Sequence, residues 1–334
     1  MKLVIAIGGN ALLRRTQAPN AANLLENVRM AAAQLAKIAS MDDRGQPAHQ
    51  LVLTHGSGPQ IGLLALQSAA YAEQNPGVES VPLDMLDAEV AGMLGYVLEQ
   101  EIANLLPAAR TVASLLTRVE VDPLDPAFKT PTKPIGPTYT REQADKVIEG
   151  RPWTMGIDGN GLRRLVASPR PVRVLAMDAI RVLQGNGALV IAGGGGGIPV
   201  VRSADGSGME GVEAVIDKDL CSALIATGLQ ADCLIIATDV DAVYVNWGQP
   251  EQRRLGRTTP KELAQFTFAP GSMAPKIEAA INFVKATGKR AVIGPLGQIE
   301  DMLAGRAGTD IHADVGAEDG ADLSAPCPSN SPAA

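Results

Sequence analysis

Aromatic side chains are scarce in this sequence. Phe, Trp and Tyr make up 3% of its 334 residues while 46% are apolar. Ala, Leu, Val and Ile therefore have to build the core. Cysteine is scarce too: Cys221, Cys233 and Cys327 are odd in number and unpatterned. That speaks against a disulfide framework and for a reducing, cytoplasmic setting. The three histidines, His49, His55 and His312, make no metal-ligand spacing with them. No apolar run reaches the ~18 residues of a membrane span. MKLVIAIGG reads as a first core strand broken by Gly8 and Gly9, not as a signal peptide. The formal net charge is −7 and no basic face is evident, which argues against a nucleic-acid partner. A Walker loop, GxxxxGK[ST], is absent. GSGPQIG at 56–62 only approximates GxGxxG and follows the second expected strand, which argues against a dinucleotide oxidoreductase.

What is present is a rhythm. Strands are expected at 4–7, 50–54 and 111–116, with helices at 22–38, 63–72 and 86–106 between them. The alternation resumes over 178–183, 188–192, 215–227, 232–237 and 276–287, and ends in a strand at 290–293. Such alternation predicts a parallel sheet with helices on both faces. Residues 121–171 interrupt it with Pro- and Gly-rich sequence, including DPLDPAFKTPTKPIGPTYT. An interruption of that length suits a functional subdomain or lid better than a plain loop. The stretch after Ile311 is polar, acidic and rich in Pro and Ser, and reads as a disordered tail over 312–334. There are no internal repeats.

Four glycine-rich segments are expected to follow apolar strands: GGN at 8–10, GSGPQIG at 56–62, GGGGG at 193–197 and PGSMAPK at 270–276. Each alone is equally a tight turn. Together, at the carboxyl ends of strands, they suit a phosphate or carboxylate ligand held by backbone N–H groups. Lys133 in PTKPIGP, Lys218 between Asp217 and Asp219 in VIDKD, and Lys276, which closes PGSMAPK and begins a helix, are expected on loops near these cradles. Each alone could be an ordinary surface cation or ion pair. Phosphoryl transfer, however, needs cations around the moving group and little covalent chemistry. His55, beside the second cradle, could donate to an anion or simply bond backbone at a strand end.

At AIGGNAL, THGSGPQIG, PLDMLDAEVAGMLGY, VDPLDPAFKTPTKPIGP, GGGGGIPVV, GVEAVIDKD, TDVDAVY and FAPGSMAPKIEAA, the chain resembles the carbamate kinases of the amino-acid kinase family over about residues 1–311. Other members of that family resemble each other in a lysine two places before the GG pair. Here Ala6 holds that place, and in carbamate kinases the lid supplies the cation, which matches Lys133.

The resemblance implies a three-layer α/β/α fold: an open, mostly parallel sheet with a protruding lid at about 120–172. It implies a carbamate-binding lobe over 1–212 and an ATP-binding lobe over 213–311. Gly8, Gly9 and Asn10 would line the transfer site. Gly56, Ser57 and Gly58, with Gly194, Gly195 and Gly196, would hold carbamate or carbamoyl phosphate through backbone N–H groups. Lys133 and Lys218 would stabilise the transferred phosphoryl group, with Asp219 orienting both. Lys276 would bind nucleotide phosphates, and Thr238, Asp239, Asp241, Tyr244 and Met273 would surround the nucleotide. ATP or ADP is the implied cosubstrate, with Mg²⁺ carried on its phosphates. The implied activity is reversible transfer between ATP and carbamate, running toward ATP, in arginine metabolism or related nitrogen salvage, by a homodimer.

Ser57, Asn160, Leu162 and Ala167 depart from the family pattern at the cradle and in the lid. They keep open a kinase for another small acid. A non-catalytic paralogue that binds nucleotide or carbamoyl phosphate is the other alternative.

Overall fold

In the computed structural model, residues 1–13, 17–40, 45–57, 59–151, 153–159, 161–269 and 271–314 are described, with only the backbone of Asn10 and Ala11. An eight-stranded sheet forms the middle layer. Its order is Arg257–Thr258, Thr309–Ile311, Arg290–Pro295, Cys233–Thr238, Lys2–Ile7, Gln50–His55, Leu189–Ile191, Val112–Ser114. Every neighbouring pair is parallel except Arg290–Pro295 with Thr309–Ile311.

Apolar side chains alternate through this sheet and feed two cores. Leu3, Ile5, Ile7, Leu51 and Leu53 pack with Val28, Leu35, Leu86, Val90 and Leu94 of the helices Ala21–Ile38 and Leu83–Ala103. Val4, Ala6, Val52, Leu234 and Ile236 pack with Ile225 and Phe283 of the helices Lys218–Leu229 and Met273–Thr287. A strand buried on both faces reads as a continuous apolar run, as LVIAI does. The expected three-layer architecture is therefore the observed one.

Helix limits moved by a few residues. The expected helix 86–106 is Leu83–Ala103, started by Pro82. The helix expected at 63–72 is Gln60–Gln74, so Gly62 of GSGPQIG lies inside it. The strand expected at 111–116 covers only Val112–Ser114.

The interruption is folded. Lys133–Tyr139, Gly161–Val166 and Thr154–Asp158 form an antiparallel three-stranded sheet, with the helix Arg141–Ile148 beside it. Thr140 and Gln143 cap that helix reciprocally. Arg118–Val121 and Pro171–Val174, which flank it, belong to a separate four-stranded sheet with Ile198–Arg202 and Met209–Gly211.

The lid rests on the body at Gly62 and Gly136. A Cβ on Gly62 would stand 2.0 Å from the Gly136 Cα, closer than atoms can approach. Arg163 secures the same bend: its Nε donates to the Gly136 carbonyl at 2.9 Å and it pairs with Asp158 at 2.8 Å. The tail expected at 312–334 lies outside the described residues from 315 onward.

Candidate active site

Three lysines and two carboxylates converge at one end of the sheet. Lys133 is the first residue of the lid strand Lys133–Tyr139. Its Nζ donates to Asp217 Oδ2 at 3.0 Å. Asp217 is the N-cap of Lys218–Leu229, and its Oδ1 accepts from the backbone N–H of Asp219 at 2.9 Å. Lys218 pairs with one oxygen of Asp219, and Lys276 donates to the other at 3.1 Å. Lys133 and Lys218 thus stand at element starts, not on loops as expected, and Lys276 stands in the first turn of the helix it was expected to begin. Element ends fix a Cα more firmly than loops do.

The expectation that Asp219 orients both Lys133 and Lys218 needs correction. Asp219 holds Lys218 and Lys276, and Asp217 holds Lys133. Asp217 stands immediately before Lys218 in VIDKD, and an Asp just before a helix is an N-cap signal.

Electrostatics follow from burial and this pairing. Burial pushes the Asp217 carboxyl up, but Lys133 and Lys218 outweigh it and hold the group well below the usual carboxylate range. Burial lowers the Lys218 pKa, only partly opposed by Asp219. For Lys276 burial also acts downward, but Asp219 outweighs it and the net shift is up. With those five side chains ionised, the cluster holds three positive and two negative charges. It keeps one uncompensated positive charge for an anion.

The run Gly193–Gly197 lies beside the cluster, buried, with Gly194–Gly196 in one 3₁₀ turn. Four of its five residues have positive φ, and a Cβ on Gly196 would meet the Ile216 carbonyl oxygen at 2.3 Å. The N–H groups of Gly196 and Gly197 close the turn on the carbonyls of Gly193 and Gly194. Those of Gly194 and Gly195 have no acceptor among the described residues.

The other cradles are more committed than expected. Gly8 N–H bonds the Ala237 carbonyl and Gly56 N–H bonds the Ile7 carbonyl, so neither is a free donor to an anion. Both continue the parallel ladder one residue past their strands. Gly56 instead gives clearance, since a Cβ there would meet the Gly9 nitrogen at 2.9 Å. Gly9 opens a four-residue helix, Gly9–Leu12. The side chain of Asn10, and all of Gly58 and Asn160, lie outside the described residues.

PGSMAPK was expected to follow an apolar strand. It follows the short helix Pro260–Leu263 and irregular chain instead. Met273 starts the next helix, placing Lys276 in its first turn.

His55 takes the second of its two readings. It is buried, its Nδ1 faces the Gly56 carbonyl at 3.3 Å, and burial lowers its pKa to about 4. It is neutral near pH 7 and bonds backbone.

On the nucleotide side, Thr238 ends the strand Cys233–Thr238 and donates to Asp239 at 3.1 Å. Tyr244 donates to Asp241 at 3.1 Å and stacks edge-on with the exposed Trp247, ring centres 5.3 Å apart. Asp239 is close enough to raise the Lys276 pKa, which ties this rim to the lysine cluster. Trp247 carried no sequence signal. Asp87 did: it falls on the apolar stripe of Leu83, Leu86, Val90 and Leu94 and is fully buried.

Known proteins match this chain along nearly its whole length. The family model "Amino acid kinase family" matches residues 1–295. The chain belongs to the amino acid kinase family. It is 51% identical over 311 residues to a carbamate kinase of Haemophilus influenzae, covering 93% of this chain and 96% of that one. It is 48% identical to a carbamate kinase of Escherichia coli K12, covering 92% and 98%. Among solved structures, carbamate kinase from Giardia lamblia bound to AMP-PNP superposes with a TM-score of 0.81 at 37% identity, covering 94% and 98%.

Proposed function

We propose that the protein is a carbamate kinase, transferring a phosphoryl group reversibly between ATP and carbamate to give ADP and carbamoyl phosphate. The observation that carries this reading is the contact of Lys133 with Asp217. It delivers a lid cation to Lys218 and Lys276, while the first strand has only Ala6 to offer.

The chemistry asks little of the protein beyond placement and charge. Carbamate oxygen is already anionic and needs no general base. The transferred group spreads negative charge over its equatorial oxygens in a loose transition state. Lys133 and Lys218 would face that growing charge, and Lys276 would face the nucleotide phosphates. The free N–H groups of Gly194 and Gly195 would hold the small anion, with the Ser57 hydroxyl near Gly195. Fixed donors of this kind act without reorganisation during reaction. Asp217 and Asp219 hold the cations in position until phosphates replace them.

Among the described residues, no group of three or more His, Cys, Asp or Glu side chains could hold a metal ion. Mg²⁺ would arrive on the nucleotide phosphates, in keeping with its preference for water and phosphate oxygens. A lobe division at about residue 212 would put the glycine cradle in one half and Lys276 in the other.

A homodimer goes with this reading. Met85, Met93, Tyr96 and Leu116 are exposed along Leu83–Ala103 and its neighbouring sheet edge. Tyr96 and Leu116 also line, with Gly92 and Gln100, a cavity of about 430 Å³. A monomeric mass by light scattering would remove that proposal. No helix among the described residues is long and apolar enough to cross a membrane. A cytoplasmic role in arginine metabolism or other nitrogen salvage is the setting that fits such a reaction.

The deciding experiment mixes the protein with ADP, Mg²⁺ and carbamoyl phosphate and follows ATP by a coupled assay. ATP formation supports the reading. No ATP from folded, ADP-binding protein overturns it, leaving another small acid or a non-catalytic binder.

A further inference from the structure

Asp87 occupies a place where an acid has no ordinary business. Neither of its carboxyl oxygens has a hydrogen-bond partner among the described residues. Isolated buried charge is so unfavourable that such a group takes up a proton instead. Burial pushes the Asp87 pKa well up; Lys133 opposes the rise and Asp84 adds to it.

This carboxyl faces the glycine cradle. A Cβ placed on Gly195 would stand 3.3 Å from Asp87 Oδ1 and 3.8 Å from Ser57 Oγ. The space above Gly195 is thus bounded by a buried acid and a hydroxyl, with the free N–H groups of Gly194 and Gly195 beside it. The charged groups acting on Asp87 are Lys133 of the lid strand and Asp84 of its own helix. The neutral His55 stands against Gly194 from the Gln50–His55 strand. A buried polar group left unpaired in the free protein and aimed into a binding cradle is a group waiting for a ligand.

We propose that Asp87, as the neutral acid, reads the carbamoyl end of the substrate: its O–H donates to the substrate carbonyl oxygen and its C=O accepts from the substrate NH₂. This inference rests on the carbamate kinase reading. A protonated carboxyl presents a donor and an acceptor side by side. The H₂N–C=O edge of carbamoyl phosphate presents the complementary pair, and two hydrogen bonds close a ring. A carboxylate would offer acceptors only and would repel the anion. A cation would hold any small anion alike. The neutral acid separates an amino group from a methyl of the same size, because the methyl leaves its buried acceptor unpaired. Buried carboxylic acids kept neutral to donate are an established device.

The test compares wild type, Asp87→Asn and Asp87→Leu with ADP and either carbamoyl phosphate or acetyl phosphate, in which CH₃ replaces NH₂. Melting curves confirm that each variant folds. Asp87→Leu should raise KM for carbamoyl phosphate about tenfold or more, leave KM for ADP unchanged, and lower the preference over acetyl phosphate about tenfold. Asp87→Asn keeps one donor and one acceptor and should recover most of that loss. The wild-type KM for carbamoyl phosphate should rise toward alkaline pH as Asp87 ionises, and that rise should vanish in Asp87→Asn. A Leu variant with wild-type KM and preference overturns the proposal. So does an Asn variant as impaired as Leu, or one that keeps the alkaline rise. Wild type that makes no ATP from carbamoyl phosphate defeats the kinase reading itself, and this inference with it.

Discussion

Lys133 and Asp217 lie 84 residues apart in the chain and 3.0 Å apart in space. One oxygen of Asp217 holds the lid cation while the other caps the helix that begins with Lys218. A single side chain therefore sets the distance between the lid and the body cations.

Removing the lid cation should stop chemistry and spare the fold. Lys133→Ala should reduce ATP formation about 10²–10³-fold, the usual loss for one charge-stabilising group. Its ion pair is partly exposed, and such pairs contribute roughly 0–1 kcal/mol, so the melting temperature should change little. A Lys133→Ala enzyme with near-normal kcat would remove this lysine from the transition state.

The two functions of Asp217 can be separated. Asp217→Asn keeps a capping oxygen and should fold normally, with impaired turnover. Asp217→Ala should lose the cap as well, costing about 1 kcal/mol. The Asp217 pKa is lowered in the folded state, so its stabilisation is present above the ordinary carboxylate pKa. It is lost as pH falls through and below that value. Acid denaturation of the Asn variant should lack this component, and urea melts at several pH values would check it.

The lid contact is open to a wedge. Gly62→Ala would place a methyl 2.0 Å from the Gly136 Cα, and Lys133 is only three residues from Gly136. Displacing the lid by about 1 Å can cost about 10²-fold in rate. We expect a large fall in kcat with little change in ADP affinity by calorimetry. Unchanged kcat would mean the lid accommodates the methyl.

His55 predicts an acid-sensitive fold. Its pKa falls from 6.5 to about 4 on burial. Stability from the neutral ring is complete above pH 6.5 and is lost as pH falls toward 4, by up to about 3 kcal/mol. A His55→Gln variant should show a flatter stability profile across that window in chemical denaturation. An unchanged slope would assign the acid sensitivity elsewhere.

The alternating strands and helices were legible because buried parallel strands such as LVIAI and CLIIAT are continuous apolar runs. The lid was legible only as an interruption. Its strands are short, polar and antiparallel, and their pairing depends on bends at Gly136 and Gly159 that composition does not reveal. The three lysines could be found from glycine-rich surroundings and from resemblance. Asp219 could be named as the partner of Lys218, but the partner of Lys133 could not, because Lys133 meets Asp217 only after the lid folds back. The donor status of Gly8 and Gly56 was misjudged for a related reason: ladder bonding continues past the last residue of a strand.

Both outer strands of the main sheet are very short, two residues at Arg257–Thr258 and three at Val112–Ser114. The central strands Lys2–Ile7, Gln50–His55 and Cys233–Thr238 carry some of the most apolar runs of the chain. An edge of two or three residues offers a passing chain few unpaired amides to add to. The sheet thus shelters its stickiest sequence in the middle, and its margins resist growth into aggregates. Substitutions that lengthen either margin would test the solubility of this protein before they touched its catalysis.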